Sequence, residues 1–452
     1  MHIPKIIRIF AATMKRTITT LAIMLVCMTI QAQTRYVGGD ISMLPQYEQY
    51  SSGYKDVNGK KIQNLLTWLI SDCQWNTFRV RIFVNPQQQS KGKADYAVCQ
   101  DLAYVTALGK RIKDAGVYFM LDFHYSDTWV DALNIQAPEA WKNADAAAMA
   151  DSLGAYTHRV LQTLKAAGAT PDLVQVGNEI MYGMCDIKVS PYDNSATNAN
   201  WPAYLNLLEA GCNAVREECP QAQIIIHTDH PNDVNNTKYY YNQLVNSGVD
   251  FDIIGLSYYP FWHGYLNTTS TNLVNSLNAY AKAFPNKRLH IVECAYNFQY
   301  WPSSGVKYNT QSIWPCSVAG QYNFVRDLVD ALKPLEQVDG INYWFPEEAG
   351  NGDNVNWTTK AGLVIETWLN RGFWDENATS SGHAINRTDA PQNGQTAADV
   401  CAPYYMKNFL NESSEDINAI REESVRTHKF IKNSQIVIER NGCEYSVDGR
   451  RR

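Results

Sequence analysis

The stretch "DLVQVGNEI", residues 172–180, is a short apolar run (Leu173, Val174, Val176) that stops at Gly177 and is followed at once by Asn178 and Glu179. A run too short for a helix, ending in a glycine and two polar groups, reads as a buried strand whose carboxyl end reaches a surface. A lone glutamate in such a place is most often a solvated loop charge. What Glu179 does therefore depends on how many such runs the chain holds and on what stands at their ends.

The pattern recurs in "YVGGDI" from Tyr36, "TFRVRIF" from Thr77, "VYFMLDF" from Val117, "QIIIHT" from Gln223, "FDIIGLS" from Phe251, "LHIVE" from Leu289 and "GINYW" from Gly340. Amphipathic segments lie between them. Val98, Leu102, Val105, Leu108 and Ile112 keep three-to-four spacing, as do Leu153, Tyr156, Val160 and Leu164, so each segment presents one apolar stripe. Gly116 and Gly168 follow these helices, where a left-handed cap favours glycine. Strands apolar on consecutive residues, alternating with helices, predict a parallel sheet covered on the outside. Eight such units predict an α/β fold, a (β/α)8 TIM barrel. A doubly wound open sheet would want a Gly-rich phosphate loop after its first strand, and "YVGGDIS" lacks that spacing.

With 452 residues, 45% of them hydrophobic, the chain can bury a large core; one barrel with insertions fits this length as well as several smaller domains do. A net charge of −6 and the lack of a basic stripe before the last residues argue against nucleic acid as a partner. The 27 Tyr, 14 Phe and 12 Trp fill cores first. In polar loops such rings also suit a sugar groove, because apolar sugar faces stack on flat rings. Lys5, Arg8, Lys15 and Arg16 precede the apolar run "LAIMLVCMTI" and then "QAQ". That run is well short of the roughly 20 residues that span a bilayer and has the length of a signal-peptide core.

The expected organisation is a signal peptide over 1–32 cleaved near Ala32, a catalytic barrel over 33–376, a linker or irregular extension over 377–428, and a β-hairpin-like tail over 429–452 around "RNG". The protein is expected to be secreted, cell-surface or periplasmic, with no transmembrane segment, and nothing demands more than a monomer. Once Cys27 leaves with the signal, an odd number of the 10 cysteines remains, so at least one thiol is free. No two cysteines have the C-x2-C spacing of a zinc site.

A parallel strand buries its middle and presents its last residues at the rim, the side where barrel enzymes build active sites. The rim is expected to carry Asp40, Arg79, Arg81, Asp122, His124, Asn178, Glu179, His227, Asp229, Tyr258, Glu293 and Trp344. Folding requires none of these, and burying charge without partners is costly. The strongest pair is Glu179 after strand four and Glu293 after strand seven. Two carboxylates flanking a glycosidic bond are what glycoside hydrolysis requires; a separation of about 5–5.5 Å gives retention, about 6.5–9.5 Å inversion.

The stretches "GGDISMLPQYE", "NTFRVRIFVNP", "YFMLDFHYSDTW", "VQVGNEI", "IGLSYYPFWHG", "IVECAY" and, more loosely, "NYWFPE" together resemble the arabinogalactan endo-β-1,4-galactanases of glycoside hydrolase family 53. The resemblance runs from about residue 38 to 374. It implies a retaining double displacement on galactan or arabinogalactan, the side chains of pectin, with Glu179 as general acid/base and Glu293 as nucleophile. It also implies that Asp40, Arg79, Arg81, Asp122, His124, Asn178, Tyr258 and Trp344 hold the sugar or orient the glutamates, and that Trp129 and Trp262 are groove platforms.

The chain departs from that family in three places. Cys294 follows the nucleophile where threonine is usual. The loop over 296–317 contains no Asp, whereas bacterial relatives bind a structural calcium in that region through clustered Asp and Asn, so no cofactor is expected. The tail from Lys429 lies outside the family and is similar to the C-terminal sorting tails of exported Bacteroidetes proteins. Two other readings stand beside this one: a related endo-glycanase acting on xylan, mannan or glucan, and a catalytically silent glycan-binding barrel.

Overall fold

The computed structural model describes residues 34–90, 92–192, 196–266, 272–299, 313–349, 356–358, 364–366, 370–410, 427–432, 435–440 and 443–446. Eight strands close into a parallel barrel: β1 (Tyr36–Asp40), β2 (Thr77–Ile82), β3 (Tyr118–Phe123), β4 (Leu173–Val176), β5 (Gln223–Thr228), β6 (Ile253–Tyr258), β7 (Arg288–Cys294) and β8 (Val338–Trp344). They follow one another around the barrel in chain order, with β8 pairing β1. Each expected strand is present within a residue or two of its apolar run. The cause is the one read from the sequence: both faces are buried, so apolar residues run along consecutive positions, interrupted by buried polar ones such as Arg79, Arg81, Gln175 and His227.

Seven helices form the outer layer: α1 (Leu65–Ser71), α2 (Leu102–Asp114), α3 (Ala146–Ala166), α4 (Trp201–Glu218), α5 (Val234–Asn246), α6 (Leu273–Ala283) and α7 (Val318–Leu332). Asn64, Asp101, Asp145, Asp233, Asn272 and Ser317 cap six of them by accepting a backbone N–H with the side chain. Gly116 and Gly168 follow α2 and α3 with φ of 76° and 75°, the left-handed conformation expected there. Val98, read with the stripe of α2, precedes that helix and is buried in the loop before it.

Register decides what reaches the site. Asp40 lies opposite Arg79 and Trp344, Arg81 opposite Asp122, and Asp122 opposite Gln175, so polar residues of β1 to β4 fall into one layer near the carboxyl rim. Beneath them a small apolar plug of Tyr36, Met120, Leu173, Ile225, Ile253 and Val292 fills the lower barrel. Between β6 and β7 the register shifts at Leu256/Ser257 and sets Ser257 opposite Glu293. A bulge of this kind re-aims the side chains that follow it.

The expected linker over 377–428 is corrected in its described part. Trp374–Thr379 and Gly382–Ile385 pair, and with Tyr54–Lys55 and Lys61–Ile62 they form a four-stranded sheet. Short turns over Ala397–Asp399, Ala402–Tyr405 and Met406–Phe409 then occupy the place of an eighth helix. Tyr404 packs on Trp68 of α1 and Tyr405 on Tyr322 of α7, while the Trp75 indole N–H donates to the Pro403 carbonyl at 2.9 Å. The turns are too short to show helical periodicity, so the polar composition around them reads as loop although Val400, Cys401, Met406 and Phe409 are buried.

The C-terminal tail forms three antiparallel strands, Thr427–Lys432, Gln435–Arg440 and Cys443–Ser446, one more than a hairpin. The expected signal peptide lies outside the described residues. No described helix is long and apolar enough to cross a membrane, and Cys73, Cys99, Cys185, Cys212, Cys219, Cys294, Cys316 and Cys401 are free thiols.

Candidate active site

Arg79 is the hub of the rim. From the middle of β2 its guanidinium contacts Asp40 at 2.8 Å, Asp122 at 2.8 Å and Glu293 at 2.9 Å, and donates to Asn178 Oδ1 at 2.8 Å and Gln175 Oε1 at 3.3 Å. A cation 1% exposed among three carboxylates stays charged, and the geometry explains why so many acids sit near one point. Asp122 is held below its ordinary value by Arg79 and His124 against the cost of burial. His124 Nδ1 accepts the Val130 N–H at 3.1 Å, so its Nε2 proton faces Asp122 at 3.1 Å. This is the satisfied imidazole of a charge network. Gln175, in the middle of "LVQV", donates to Asp122 at 2.5 Å; its one polar letter in an apolar strand was the signal available for it.

Glu179 is aimed by strain. β4 has only four residues, Gly177 turns with φ 88°, and Glu179 itself is left-handed at φ 49°, ψ 47°, a conformation that costs a non-glycine residue about 1–2 kcal/mol. The turn carries its carboxylate to β6, where Ser257 Oγ–H donates to Oε1 at 2.5 Å. Ser257 in turn accepts from His227 Nε2 at 2.8 Å, because His227 Nδ1 accepts the Glu179 backbone N–H at 3.4 Å. Burial, with Arg79 beside it, holds His227 well below the usual imidazole range, so it is neutral and keeps that tautomer.

Glu293, at the end of β7, is 6% exposed. Its Oε1 meets Arg79 at 2.9 Å and its Oε2 accepts the Tyr259 hydroxyl at 2.7 Å. Here one expectation is corrected. Tyr258 does not face the glutamates: its hydroxyl donates to the Gly264 carbonyl and its ring stacks on Phe324 of α7. Tyr259 takes that place because Tyr258 ends the strand facing outward and the next residue turns over the barrel mouth. The two carboxyls differ in support. Burial and the neighbouring Glu293 charge raise Glu179 well above the ordinary glutamate value. Burial also raises Glu293, but Arg79 and Tyr259 hold it down. Glu293 therefore ionises first and Glu179 keeps its proton.

The other expected residues divide. Asp40 joins Arg79 and approaches Arg81 at 3.5 Å, and Asn178 donates to the Val130 carbonyl at 2.8 Å while accepting from Arg79. Arg81 is buried behind them, stacked 4.3 Å above the Trp129 ring. Trp129 is thus half-buried under a cation with its N–H on Asp95, not an open platform. Trp262 is open, 53% exposed, and Trp344 lies edge-on to Tyr259. No motif marks Arg371, yet its guanidinium lies over the rings of Tyr259, Trp262 and Trp344 at 5.3, 5.4 and 5.8 Å. It belongs to the segment after β8 that composition makes look irregular. Among the described residues no cluster of His, Cys, Asp and Glu is placed to hold a metal ion; most of the loop in question for calcium, 300–312, lies outside them.

A closed parallel barrel whose rim presents two neighbouring carboxyls of unequal proton affinity, Glu293 buried and Glu179 partly so, flanked by an open tryptophan, defines a barrel glycoside hydrolase. The family model described as "Glycosyl hydrolase family 53" matches residues 36–386, and the chain belongs to that family. A probable arabinogalactan endo-beta-1,4-galactanase A of Aspergillus terreus is 32% identical over 344 residues, covering 74% of this chain and 88% of its own. The arabinogalactan endo-beta-1,4-galactanase of Cellvibrio japonicus is 31% identical over 364 residues, covering 77% and 88%. The solved catalytic domain of Ignisphaera aggregans, of the same family, matches with a TM-score of 0.64 at 26% identity, covering 77% of this chain and 94% of that one.

Proposed function

We propose that this protein is an exported endo-acting β-1,4-galactanase that cleaves galactan or arabinogalactan, the side chains of pectin, with retention of anomeric configuration. The observation that carries the mechanism is the asymmetry between the two glutamates: Glu293 has a cation and a hydroxyl on its oxygens, Glu179 one neutral serine. Ionised Glu293 attacks the anomeric carbon as protonated Glu179 passes its proton to the departing glycosidic oxygen. Water, deprotonated by the same Glu179, then releases the sugar from Glu293. Tyr259 and Arg79 orient the nucleophile, and Ser257 with His227 orients the acid. The names of the Aspergillus and Cellvibrio relatives support galactan as substrate, and the basic and apolar pattern of residues 1–32 supports export.

The test is reducing-end release from galactan beside xylan, mannan and glucan, with the anomer of the first product followed by NMR. Activity confined to galactan with β product supports the reading. Preference for another polymer overturns the substrate, and α product overturns the double displacement. Glu293→Gln that abolishes turnover separates an enzyme from a binding barrel; a wild type that binds galactan without cutting it would establish the latter.

A further inference from the structure

The turn over 370–372 that carries Arg371 to the glutamates is gripped from two sides. The backbone N–H groups of Arg371 and Gly372 both donate to Glu348 Oε2 at 3.0 Å. The Arg371 carbonyl accepts from the Tyr343 hydroxyl at 2.7 Å, and Gln321 of α7 donates to the Arg371 and Gly372 carbonyls, each at 3.0 Å. Asn370 enters the turn left-handed at φ 56°. A Cβ on Gly372 would meet the Glu348 carbonyl oxygen at 2.1 Å, so the turn is seated directly on Glu348, just beyond β8.

Glu348 is 3% exposed and has no part in the mechanism above, but what it holds bears on the nucleophile. The Arg371 guanidinium lies 5.3 Å over the Tyr259 ring, and the Tyr259 hydroxyl donates to Glu293 Oε2 at 2.7 Å. A positive charge over a phenol favours loss of its proton and makes the O–H a stronger donor. Burial and Glu293 push the Tyr259 hydroxyl up, and Arg371 opposes them. The chain of contacts therefore runs from a buried acid through a turn and a cation to the oxygen that holds Glu293.

We propose that Glu348 is a positioning residue for the nucleophile: by receiving the Arg371 and Gly372 N–H groups it fixes the Arg371 guanidinium over Tyr259, and so strengthens the bond from Tyr259 to Glu293. This rests on the galactanase reading, in which Glu293 attacks, and adds to it a residue that touches neither substrate nor nucleophile.

The test is a double-variant cycle read on the acid limb of kcat/KM for galactotetraose. Glu293 is faced by Arg79, Tyr259, Asp122, Asp40 and Glu179, and the variants leave all five in place. Arg371→Met should move the limb upward by about half a pH unit, the worth of a cation over a ring. Glu348→Ala should move it as far in the same direction, and the double variant no further than either alone. Burial pushes Glu348 itself up to about 7; Glu348→Gln removes that titration but keeps the accepting oxygen, and should leave the limb at its wild-type position. Should Glu348→Ala not fold, Glu348→Asp, one methylene short of the two N–H groups, takes its place with the same expected shift. An unmoved limb in Arg371→Met or in the Glu348 variant, shifts that add in the double, or a Glu348→Gln as displaced as Glu348→Ala would each overturn the assignment and leave the galactanase reading standing. A wild type that cuts neither galactan nor galactotetraose overturns both.

Discussion

Glu179 and Glu293 carry the same functional group, and their partners separate them. Activity should rise as pH climbs through the Glu293 value and fall as it climbs through that of Glu179, both limbs lying above the ordinary glutamate range. In Glu179→Gln the basic limb should vanish from the kcat/KM profile on a substrate with an activated leaving group. A limb that persists would assign it elsewhere. The Tyr259 hydroxyl lowers the Glu293 value by donating to its charged form. Tyr259→Phe should therefore move the acid limb upward by about one pH unit, the worth of a hydrogen bond to a charged group, while Tyr258→Phe leaves it in place. The converse result would restore Tyr258 to the site. The sequence shows two adjacent tyrosines and no means to choose, because the choice depends on where β6 ends.

At the scale of elements, the strand ends were legible because the buried strands are mostly apolar on consecutive residues and their polar final residues stand out. How neighbours align was not. The shift that sets Ser257 opposite Glu293, and the left-handed turn that swings Glu179 toward it, leave no motif behind. Close packing inside the barrel is equally silent. A Cβ on Gly340 would meet the His290 ring at 1.8 Å, and that ring lies between Asp339 at 3.0 Å and Asn342 at 2.7 Å. Gly340→Ala should therefore cost about 1–3 kcal/mol in denaturant unfolding, the range for overpacking. An unchanged midpoint would mean that the floor of the barrel yields more readily than its geometry implies.

For the whole molecule, the segment after β8 closes the barrel layer that seven helices leave open. A chain ending at Asn386 should unfold at a distinctly lower temperature than one ending at Leu410, since it loses buried Val400, Cys401, Met406 and Phe409 and strips the Trp75 N–H of its acceptor. Equal melting temperatures would return residues 387–410 to the status of a linker.

Sequence by itself determined the eight-unit rhythm, the carboxyl rim and the two glutamates, because burial on both faces of a strand and the chemistry of its last residues are local properties. Only the tertiary structure decided that Tyr259 and Arg371 lie beside the glutamates, that Trp129 lies under Arg81, that a polar-looking segment completes the outer layer, and which partners each glutamate meets. Each of these depends on register, on the hand of a turn, or on charges brought together from strands far apart in the chain.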